Sequence, residues 1–405
     1  MAAKTQILIA GAGAAGLTTG IALAQAGFSV ALRGKPDTTR NGRTVALFEA
    51  SLRLYRALGV WSELAPLACP MKTIRIVDDT GSFLRTPPLE LHADEIGLDA
   101  FGANIENAVL VEGLARIARA TPGLDMAEDF LAEYRFEPQS AFATAQSGET
   151  LEAQIIVGAD GRNSPLRSAA GITTTEWSYP QVAVTALLAH SRPHWNESTE
   201  FHTRQGPCTF VPLPPDAVQR NRSSLVWLMR PQEAQRRMAL DDTALALEIE
   251  TQVHRLHGRV TMEGPRASFP IAGLRCASMV ALRAALVADA AHYYPPIGAQ
   301  GLNLGLRDVA QLVESLSRHG RDDAGSPRAL ASYKNARRLD VATRSIGVDA
   351  LNRSLLLHSP LVDAARGLGV LAMTAIGPLR RALLREGVAP PLRLPELMHK
   401  RATTR

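Results

Sequence analysis

Residues 6–32, QILIAGAGAAGLTTGIALAQAGFSVAL, decide how this chain folds. The run QILIA at 6–10 is apolar and contains β-branched residues, which favours a buried parallel strand. GAGAAG follows at 11–16 in the spacing GxGxxG, and apolar residues then recur at helical spacing up to Gly27. FSVAL at 28–32 starts a second strand. This order of strand, glycine loop, helix and strand predicts an α/β, Rossmann-like domain that binds a dinucleotide.

Each glycine of the motif has its own physical role. Gly11 permits the tight turn, Gly13 lets the backbone approach a pyrophosphate, and Gly16 lets the helix and strand pack closely. An acidic residue usually ends the second strand and binds a ribose, but here Arg33 and Gly34 stand at that place. The motif alone therefore leaves FAD, NAD and NADP open, and Arg33 could favour a 2′-phosphate.

The composition is that of a globular protein. The chain has 405 residues, of which 46% are apolar and 20% charged, and its net charge is +5. Aromatic residues make up only 5%, and arginines are scattered before the C-terminal region, which argues against nucleic acid as a partner. The cysteines, Cys69, Cys208 and Cys276, show neither a disulfide framework nor metal-ligand spacing. We therefore expect a cytoplasmic protein without a metal site.

Two later segments repeat the pattern of a strand followed by a loop. IIVGADGRNSPLRSAAGI at 155–172 predicts a buried strand, a turn at Asp160-Gly161 and a helix. RAALVADAAHYYPPIGAQGLNLGLRD at 283–308 predicts a strand that ends at Asp289, then a loop rich in Pro and Gly, and a helix from about 301. A loop so poor in charged side chains would let the backbone approach a large, flat ligand.

These three segments, in this order, resemble the class A flavoprotein monooxygenases, the family that includes para-hydroxybenzoate hydroxylase. GAGAAG matches the first FAD fingerprint of that family, ADGRNS its DG motif, and PPIGAQGLN its second FAD fingerprint. The resemblance implies FAD as cofactor, NADH or NADPH and O2 as co-substrates, and hydroxylation through a flavin C4a-hydroperoxide.

The resemblance also implies a discontinuous domain organisation. The FAD-binding domain would comprise residues 1–70, 105–172 and 270–345. A mainly antiparallel β-sheet substrate domain would be inserted at 71–104 and 173–269, and a C-terminal helical region would cover 346–405. Within the insertion we predict a hairpin at 73–86, strands at 182–190, 209–214 and 223–229, and a helix at 241–258.

Individual residues take roles by the same resemblance. The predicted FAD ligands away from the flavin ring are Gly11, Gly13, Gly16, Arg43, Asp160, Gly161 and Asp289. Arg43 would lie near the pyrophosphate, Asp160 near the passing nicotinamide, and Asp289 would hold ribityl or ribose hydroxyls. Ala288 stands where the family usually has Gly, and the second-strand acid is missing. We therefore expect FAD to be held loosely.

At the flavin ring the resemblance assigns Pro296, Gly298, Gln300, Gly301, Leu302 and Asn303. The small residues would keep side chains away from the ring. The N–H groups of Leu302 and Asn303 would stabilise the negative charge of reduced flavin, as a helix N-terminus should. The carbonyl of Pro296 would border the substrate. His292 is interpreted as a packed, hydrogen-bonded histidine, with a general base as the alternative.

Within the family, residues 42–61 and 295–314 are similar to the ubiquinone-biosynthesis hydroxylases. This implies a polyprenylated phenol as substrate. The alternatives are a class A hydroxylase of a small soluble aromatic, a related flavoenzyme without oxygen insertion, and a non-catalytic subunit of a biosynthetic complex. Residues 360–405 carry eight Lys and Arg against three Asp and Glu. This region either packs on the nucleotide domain or makes a peripheral contact with the inner membrane.

Overall fold

The computed structural model describes residues 3–81, 86–357, 360–390 and 394–399. The strands are β1 (Ala3–Ala10), β2 (Val30–Arg33), β3 (Thr44–Phe48), β4 (Cys69–Met71), β5 (Thr73–Asp78), β6 (Leu89–His92), β7 (Gly102–Glu106), β8 (Leu124–Ala127), β9 (Leu131–Phe136), β10 (Ala141–Ala145), β11 (Thr150–Gly158), β12 (Thr174–His190), β13 (Glu197–Thr203), β14 (Gly206–Leu213), β15 (Asn221–Met229), β16 (Val260–Cys276), β17 (Val280–Ala281), β18 (Ala284–Leu286) and β19 (His292–Tyr293).

The helices alternate with these strands in the first third of the chain and follow them at the end. They are α1 (Ala14–Gln25), α2 (Glu49–Ala57), α3 (Trp61–Leu64), α4 (Asn107–Ala120), α5 (Pro165–Ala169), α6 (Pro231–Met238), α7 (Asp242–Gln252), α8 (Gln300–His319), α9 (Pro327–Leu356), α10 (Pro360–Ala375) and α11 (Gly377–Val388).

The first sheet has β1 at its centre and the order β17-β18-β11-β1-β2-β8, with the β9–β10 hairpin attached to β11. β1 pairs in parallel with β2 and β11, and β11 pairs in parallel with β18. Ile7, Leu8 and Ile9 are fully buried, as expected for a strand covered on both faces. The α/β, Rossmann-like prediction is therefore confirmed. Because β1, β11 and β18 are parallel neighbours, the loops that follow them meet at one edge of the sheet.

The second sheet has the order β19-β16-β12-β15-β14-β13-β5-β6 and is antiparallel except for the β13–β5 pair. One face packs against α6 and α7 through residues such as Phe210, Trp227 and Ile249. The other face carries Ala183 and Leu228, which cluster with Ile297 from the loop after β18. This sheet therefore forms a roof over the edge where the three loops meet.

A small third sheet, β3-β7-β4, joins the two larger sheets. The Asn104 side chain on β7 donates to the carbonyl of Pro212 on β14 at 3.0 Å. The Thr44 hydroxyl on β3 donates to the Ser224 hydroxyl on β15 at 2.8 Å. These buried polar contacts fix the roof relative to the nucleotide-binding sheet.

The C-terminal region is helical, and two of its helices begin at or next to a proline: α10 begins at Pro360, and α11 begins at Gly377, immediately before Pro378. α11 buries Leu384 and Val388 against Leu89 and Phe101. In the described parts of the chain, no single helix has the length and apolarity of a membrane span. The segments Gly367–Ala375 and Gly377–Val388, bent by 106°, pass that test together by length and composition.

Most of the predicted elements in the inserted sheet are confirmed. The strands predicted at 182–190, 209–214 and 223–229 lie in β12, β14 and β15. One boundary was wrong. The helix predicted at 241–258 ends at Gln252, because His254 and Arg255 adopt left-handed backbone angles. The predicted hairpin begins with β5, but residues 82–85 lie outside the described residues and β5 pairs with β6 at Leu89–His92.

Candidate active site

The glycines of the first loop fall into two groups. A Cβ on Gly11 would lie 2.4 Å from the carbonyl oxygen of Ala159, and a Cβ on Gly16 would lie 2.0 Å from that of Gly11. These two glycines therefore serve backbone packing. A Cβ on Gly13 would meet no atom within 4 Å. Gly13 faces open space at the N-terminus of α1, where an anion is favoured.

The loop after β11 contributes a carboxylate to the same edge. Asp160 Oδ2 accepts a hydrogen bond from the backbone N–H of Leu166 at 3.1 Å. Asp160 Oδ1 is buried without a partner among the described residues, and burial raises the pKa of this carboxyl group. Gly161 has φ +81 and open space beside its Cα. An unpartnered buried oxygen and an open glycine are features of a ligand-contacting loop.

The loop at 287–299 joins β18 to α8 and is hereafter the flavin loop. Ala288 has φ +53, a region that favours glycine, and its N–H donates to Asp308 Oδ2 at 3.0 Å. A glycine would adopt this backbone conformation without strain. Asp289 is half-buried, burial raises the pKa of its carboxyl group, and His292 and Arg43 oppose that rise. Arg43 is exposed and lies 5.5 Å from the ring centroid of Phe269 in the roof.

The flavin loop ends in two consecutive left-handed residues, Gly298 with φ +61 and Ala299 with φ +52, and α8 begins at Gln300. Pro296 precedes them and is half-buried. A Cβ on Gly298 or Gly301 would meet no atom within 4 Å. At these two glycines the chain therefore presents bare backbone to the space beside it.

The start of α8 offers free N–H groups to that space. In a helix that begins at Gln300, the N–H groups of Gly301 and Leu302 have no intrahelical acceptor, and the carbonyl of Ala299 accepts from the side-chain Nδ2 of Asn303 at 2.6 Å. The backbone N–H of Leu302 is therefore free to make the predicted contact with the flavin edge.

Sequence reasoning missed the role of the Asn303 side chain. Its Oδ1 accepts from the N–H of Phe48 at 2.8 Å and from the Ser51 hydroxyl at 2.7 Å. Its Nδ2 donates to the carbonyl of Ala46 at 2.7 Å. Asn303 is 3% exposed, so this amide fixes the start of α8 to β3 and α2. The signal in the sequence was an amide at the start of an otherwise apolar helical stretch.

A buried ionic network below the flavin loop was also missed. His292 Nε2 lies 2.7 Å from Asp308 Oδ2, and Arg337 Nε donates to Asp308 Oδ1 at 2.7 Å. Burial alone would raise the pKa of Asp308, but His292 and Arg337 hold it below its usual value. His292 is 1% exposed. The interpretation of His292 as a packed, hydrogen-bonded histidine is confirmed.

The ribose end of the site differs from the usual pattern for a structural reason. Arg33 is buried and pairs with Asp125 at 2.8 Å and Glu149 at 2.9 Å. These two carboxylates occupy its guanidinium, so the interpretation of Arg33 as a 2′-phosphate ligand is not supported. A Cβ on Gly34 would lie 2.7 Å from the backbone nitrogen of Ala12. The backbone there leaves no room for the acidic side chain that the motif usually has.

The residues at this edge fit FAD. Open glycines face the space from three loops, and a helix N-terminus with free N–H groups adjoins it. The roof face above carries apolar residues, among them Ala183, Val226 and Leu228. Thr185 shares that face through its pairing with Val226, and its buried hydroxyl lacks a partner among the described residues. This arrangement suits an apolar ring substrate that carries one polar group.

Residues 4–346 match the family described as FAD binding domain. The chain belongs to this family of class A flavin monooxygenases. It is a flavin-dependent monooxygenase, and the resemblance recognised in the sequence is confirmed. The FAD-binding domain accounts for the glycine-rich edge of the first sheet.

Relatives of this flavin monooxygenase match it over nearly its whole length. The ubiquinone hydroxylase UbiL of Rhodospirillum rubrum is 34% identical over 392 residues, which cover 94% of this chain and 89% of the relative. The 3-demethoxyubiquinol 3-hydroxylase of Escherichia coli K12 is 29% identical and covers 94% of this chain and 97% of the relative.

Solved structures share the fold at low sequence identity. The p-nitrophenol 4-monooxygenase PnpA of Pseudomonas putida DLL-E4 has a TM-score of 0.77 at 17% identity, covering 99% of this chain and 100% of that chain. PqsL of P. aeruginosa, solved in complex with 2-aminobenzoylacetate, has a TM-score of 0.75 at 22% identity, covering 91% of this chain and 99% of that chain. These likenesses show the shared architecture of nucleotide-binding sheet and roof.

Proposed function

We propose that the protein hydroxylates a polyprenylated phenol in ubiquinone biosynthesis, with FAD as cofactor and NADH or NADPH and O2 as co-substrates. The observation that carries this proposal is the match over 94% of the chain to a relative named a ubiquinone hydroxylase. The apolar roof face over the flavin loop supports it, because a prenylated ring is itself largely apolar.

The overall reaction balances as a mixed-function oxidation. NAD(P)H supplies two electrons, one oxygen atom of O2 enters the ring, and the other leaves as water. Bound FAD supplies the redox chemistry and the activation of O2. The protein would bind and orient the flavin: the free N–H groups at the start of α8 would face the edge of the bound ring, and the apolar face of the roof would exclude water.

The predicted site residues divide between these tasks. Gly13, Arg43 and Asp289 would hold the phosphates and the ribityl chain, and Asp160 and Gly161 would lie beside the FAD, near the passing nicotinamide. At the ring, Gly298 and Gly301 would give backbone access, Leu302 would donate to the flavin edge, and the carbonyl of Pro296 would border the substrate. No second glycine motif for a nicotinamide stands in the sequence, so NAD(P)H would bind transiently at the surface of the FAD-binding domain.

The C-terminal helices offer a route to a lipid-soluble substrate. The C-terminal apolar surface consists of exposed apolar residues on α10, on α11 and at the break between them: Leu368, Leu371, Ile376, Leu379 and Leu383. Arg381 and Arg385 are exposed on the same helix α11. An apolar face flanked by arginines suits the surface of an anionic bilayer. We therefore propose a cytoplasmic protein in peripheral contact with the inner membrane, where other enzymes of the pathway could join it in a complex.

The proposal is tested by reconstituting the protein with FAD and adding a prenylated phenol in liposomes. We expect NAD(P)H oxidation and O2 consumption that depend on the phenol, and a product heavier by one oxygen atom. A soluble phenol that supports equal turnover without liposomes would point to a hydroxylase of small aromatics. Oxidation without oxygen insertion would point to a related flavoenzyme. Bound FAD without turnover on any phenol would favour a non-catalytic subunit.

A further inference from the structure

Arg344 on α9 joins three separate parts of the fold. Its Nη1 donates to the side-chain oxygen of Gln300, the first residue of α8, at 3.1 Å. Its Nε donates to Asp340 Oδ1 at 3.0 Å. Its Nη2 donates to the backbone carbonyl of Glu386 on α11 at 2.8 Å. One largely buried guanidinium thus connects the end of the flavin loop, the network on α9 and a C-terminal helix.

Gln300 carries this contact into the flavin loop. Its Nε2 donates to the carbonyl of Gly298 at 3.0 Å. Gly298 and Ala299 both have positive φ, and a left-handed alanine is held only when its surroundings determine its conformation. The hydrogen bonds from Arg344 through Gln300 to Gly298 therefore fix the backbone that presents Gly301 and Leu302 to the flavin.

The same network holds the beginning of the loop. Asp308 Oδ2 accepts from the N–H of Ala288 at 3.0 Å, and Arg337 links Asp308 to Asp340 through bonds of 2.7 and 2.6 Å. Ala288 is therefore linked to Asp340 by hydrogen bonds through Asp308 and Arg337. Gln300 is linked to the same carboxylate through Arg344. Hydrogen-bonded chains thus connect both ends of the flavin loop to the same buried carboxylate, that of Asp340.

We propose that Arg344 is a positioning residue, which sets the conformation of the flavin loop according to the position of α11. The inference rests on the proposed function only in that the loop holds the flavin. α11 also carries Leu379 and Leu383 of the C-terminal apolar surface. A displacement of α11 at that surface reaches the flavin loop through the bond from Arg344 to Glu386.

The test compares Arg344→Met with Arg338→Met, which removes an exposed arginine from the same helix. We expect Arg344→Met to weaken FAD binding about tenfold, the loss of one charge-assisted hydrogen bond, and to change the visible circular dichroism of the bound flavin. Amide hydrogen exchange of residues 294–303 should also rise in the FAD-free protein. Arg338→Met should stay within about twofold of wild type, because an exposed side chain contributes little.

A double-mutant cycle with Gln300→Met separates positioning from general stability. If Arg344 acts through Gln300, the double variant should bind FAD no more weakly than the weaker single variant. Arg344→Lys keeps the charge beside Asp340 but lacks the planar fork that bridges three acceptors. It should keep the melting temperature yet show weakened FAD binding.

Two results would overturn the proposal. One is FAD affinity and circular dichroism unchanged in Arg344→Met and Arg344→Lys. The other is effects that multiply in the double variant, which would mean that the two residues act independently. Since these readouts need no phenol, they stand even if the proposed substrate is wrong. Amide hydrogen exchange of residues 294–303 is measured in the FAD-free protein, so it tests the proposal even if FAD is lost on purification.

Discussion

The Cα of Gly16 packs so closely on the carbonyl of Gly11 that a Cβ at position 16 would lie 2.0 Å from the oxygen. Gly13 lies three residues earlier, and a Cβ at that position would have no atom within 4 Å. Two glycines of one motif thus have opposite reasons for being glycine. Gly16 makes room for the protein's own backbone, and Gly13 borders open space, where we propose that the cofactor binds.

This contrast predicts opposite effects of two substitutions. Gly16→Ala should lower the free energy of unfolding by about 2 kcal/mol or more, because the added methyl group overpacks α1 against its loop. Gly13→Val should change the stability of the FAD-free protein by less than about 1 kcal/mol and weaken FAD binding at least about tenfold. Urea unfolding and FAD titration check the pair. A stable Gly16→Ala protein, or normal FAD binding by Gly13→Val, would contradict the assignment.

Placing an acidic residue at the end of the second strand should weaken FAD binding. Gly34 has φ +154, and its Cβ would lie 2.7 Å from the nitrogen of Ala12. We expect Gly34→Glu and Gly34→Ala to weaken FAD binding similarly, because both place a Cβ against the first loop. FAD titration of the two variants measures this. Tighter binding by Gly34→Glu alone would show that the backbone adjusts and that an acid is accepted there.

Stability should fall in mild acid because of buried histidines in the substrate domain. His257 is 3% exposed and stacks on Phe210, with ring centroids 5.1 Å apart, and burial lowers its pKa to about 3. An unfolded chain protonates this histidine near pH 6.5, whereas the native state does not. The free energy of unfolding therefore decreases as the pH falls from about 6.5 towards 3, by up to about 1.4 kcal/mol per pH unit.

His257→Phe isolates this contribution, because a phenyl ring keeps the stacking on Phe210. Between pH 7 and 5, we expect the free energy of unfolding of the variant to depend less steeply on pH, by a slope equivalent to about one proton taken up on unfolding. His190 and His194, whose pKa values burial also lowers, would supply the slope that remains. Urea unfolding at the two pH values measures the difference. An unchanged slope would mean that His257 titrates normally in the folded protein.

Charges placed on the C-terminal apolar surface should prevent membrane contact. We expect Leu368→Glu and Leu383→Glu to reduce flotation with anionic liposomes several-fold, because each replaces an exposed apolar side chain with a repelled charge. The matched control is Leu282→Glu, which changes a leucine that is 54% exposed in the turn between β17 and β18. Equal flotation of all three variants, or no flotation of wild type, would contradict a membrane contact through α10 and α11.

The sequence predicted the nucleotide-binding fold because its signals are local. A glycine loop between an apolar strand and a helix can be read from adjacent residues, as at 6–32, and the same holds for Asp160 and the start of α8. The sequence also predicted the roof strands β12, β14 and β15, since alternating or β-branched runs mark them directly, but not β13 or β16. It missed the end of α7, where left-handed residues at 254 and 255 stop the helix without glycine or proline.

The tertiary structure decided which side chains meet across the chain. Asn303 contacts Phe48 and Ser51, and Arg344 contacts Gln300 and Glu386, over separations that no local pattern records. Arg33 lies at a position that favours a phosphate by motif alone, yet Asp125 and Glu149 neutralise it. The sequence by itself thus determined the fold and the cofactor-binding edge, because backbone geometry follows neighbouring residues. Only the tertiary structure decided the partner of each buried charge, because such pairs depend on burial and distance between remote segments.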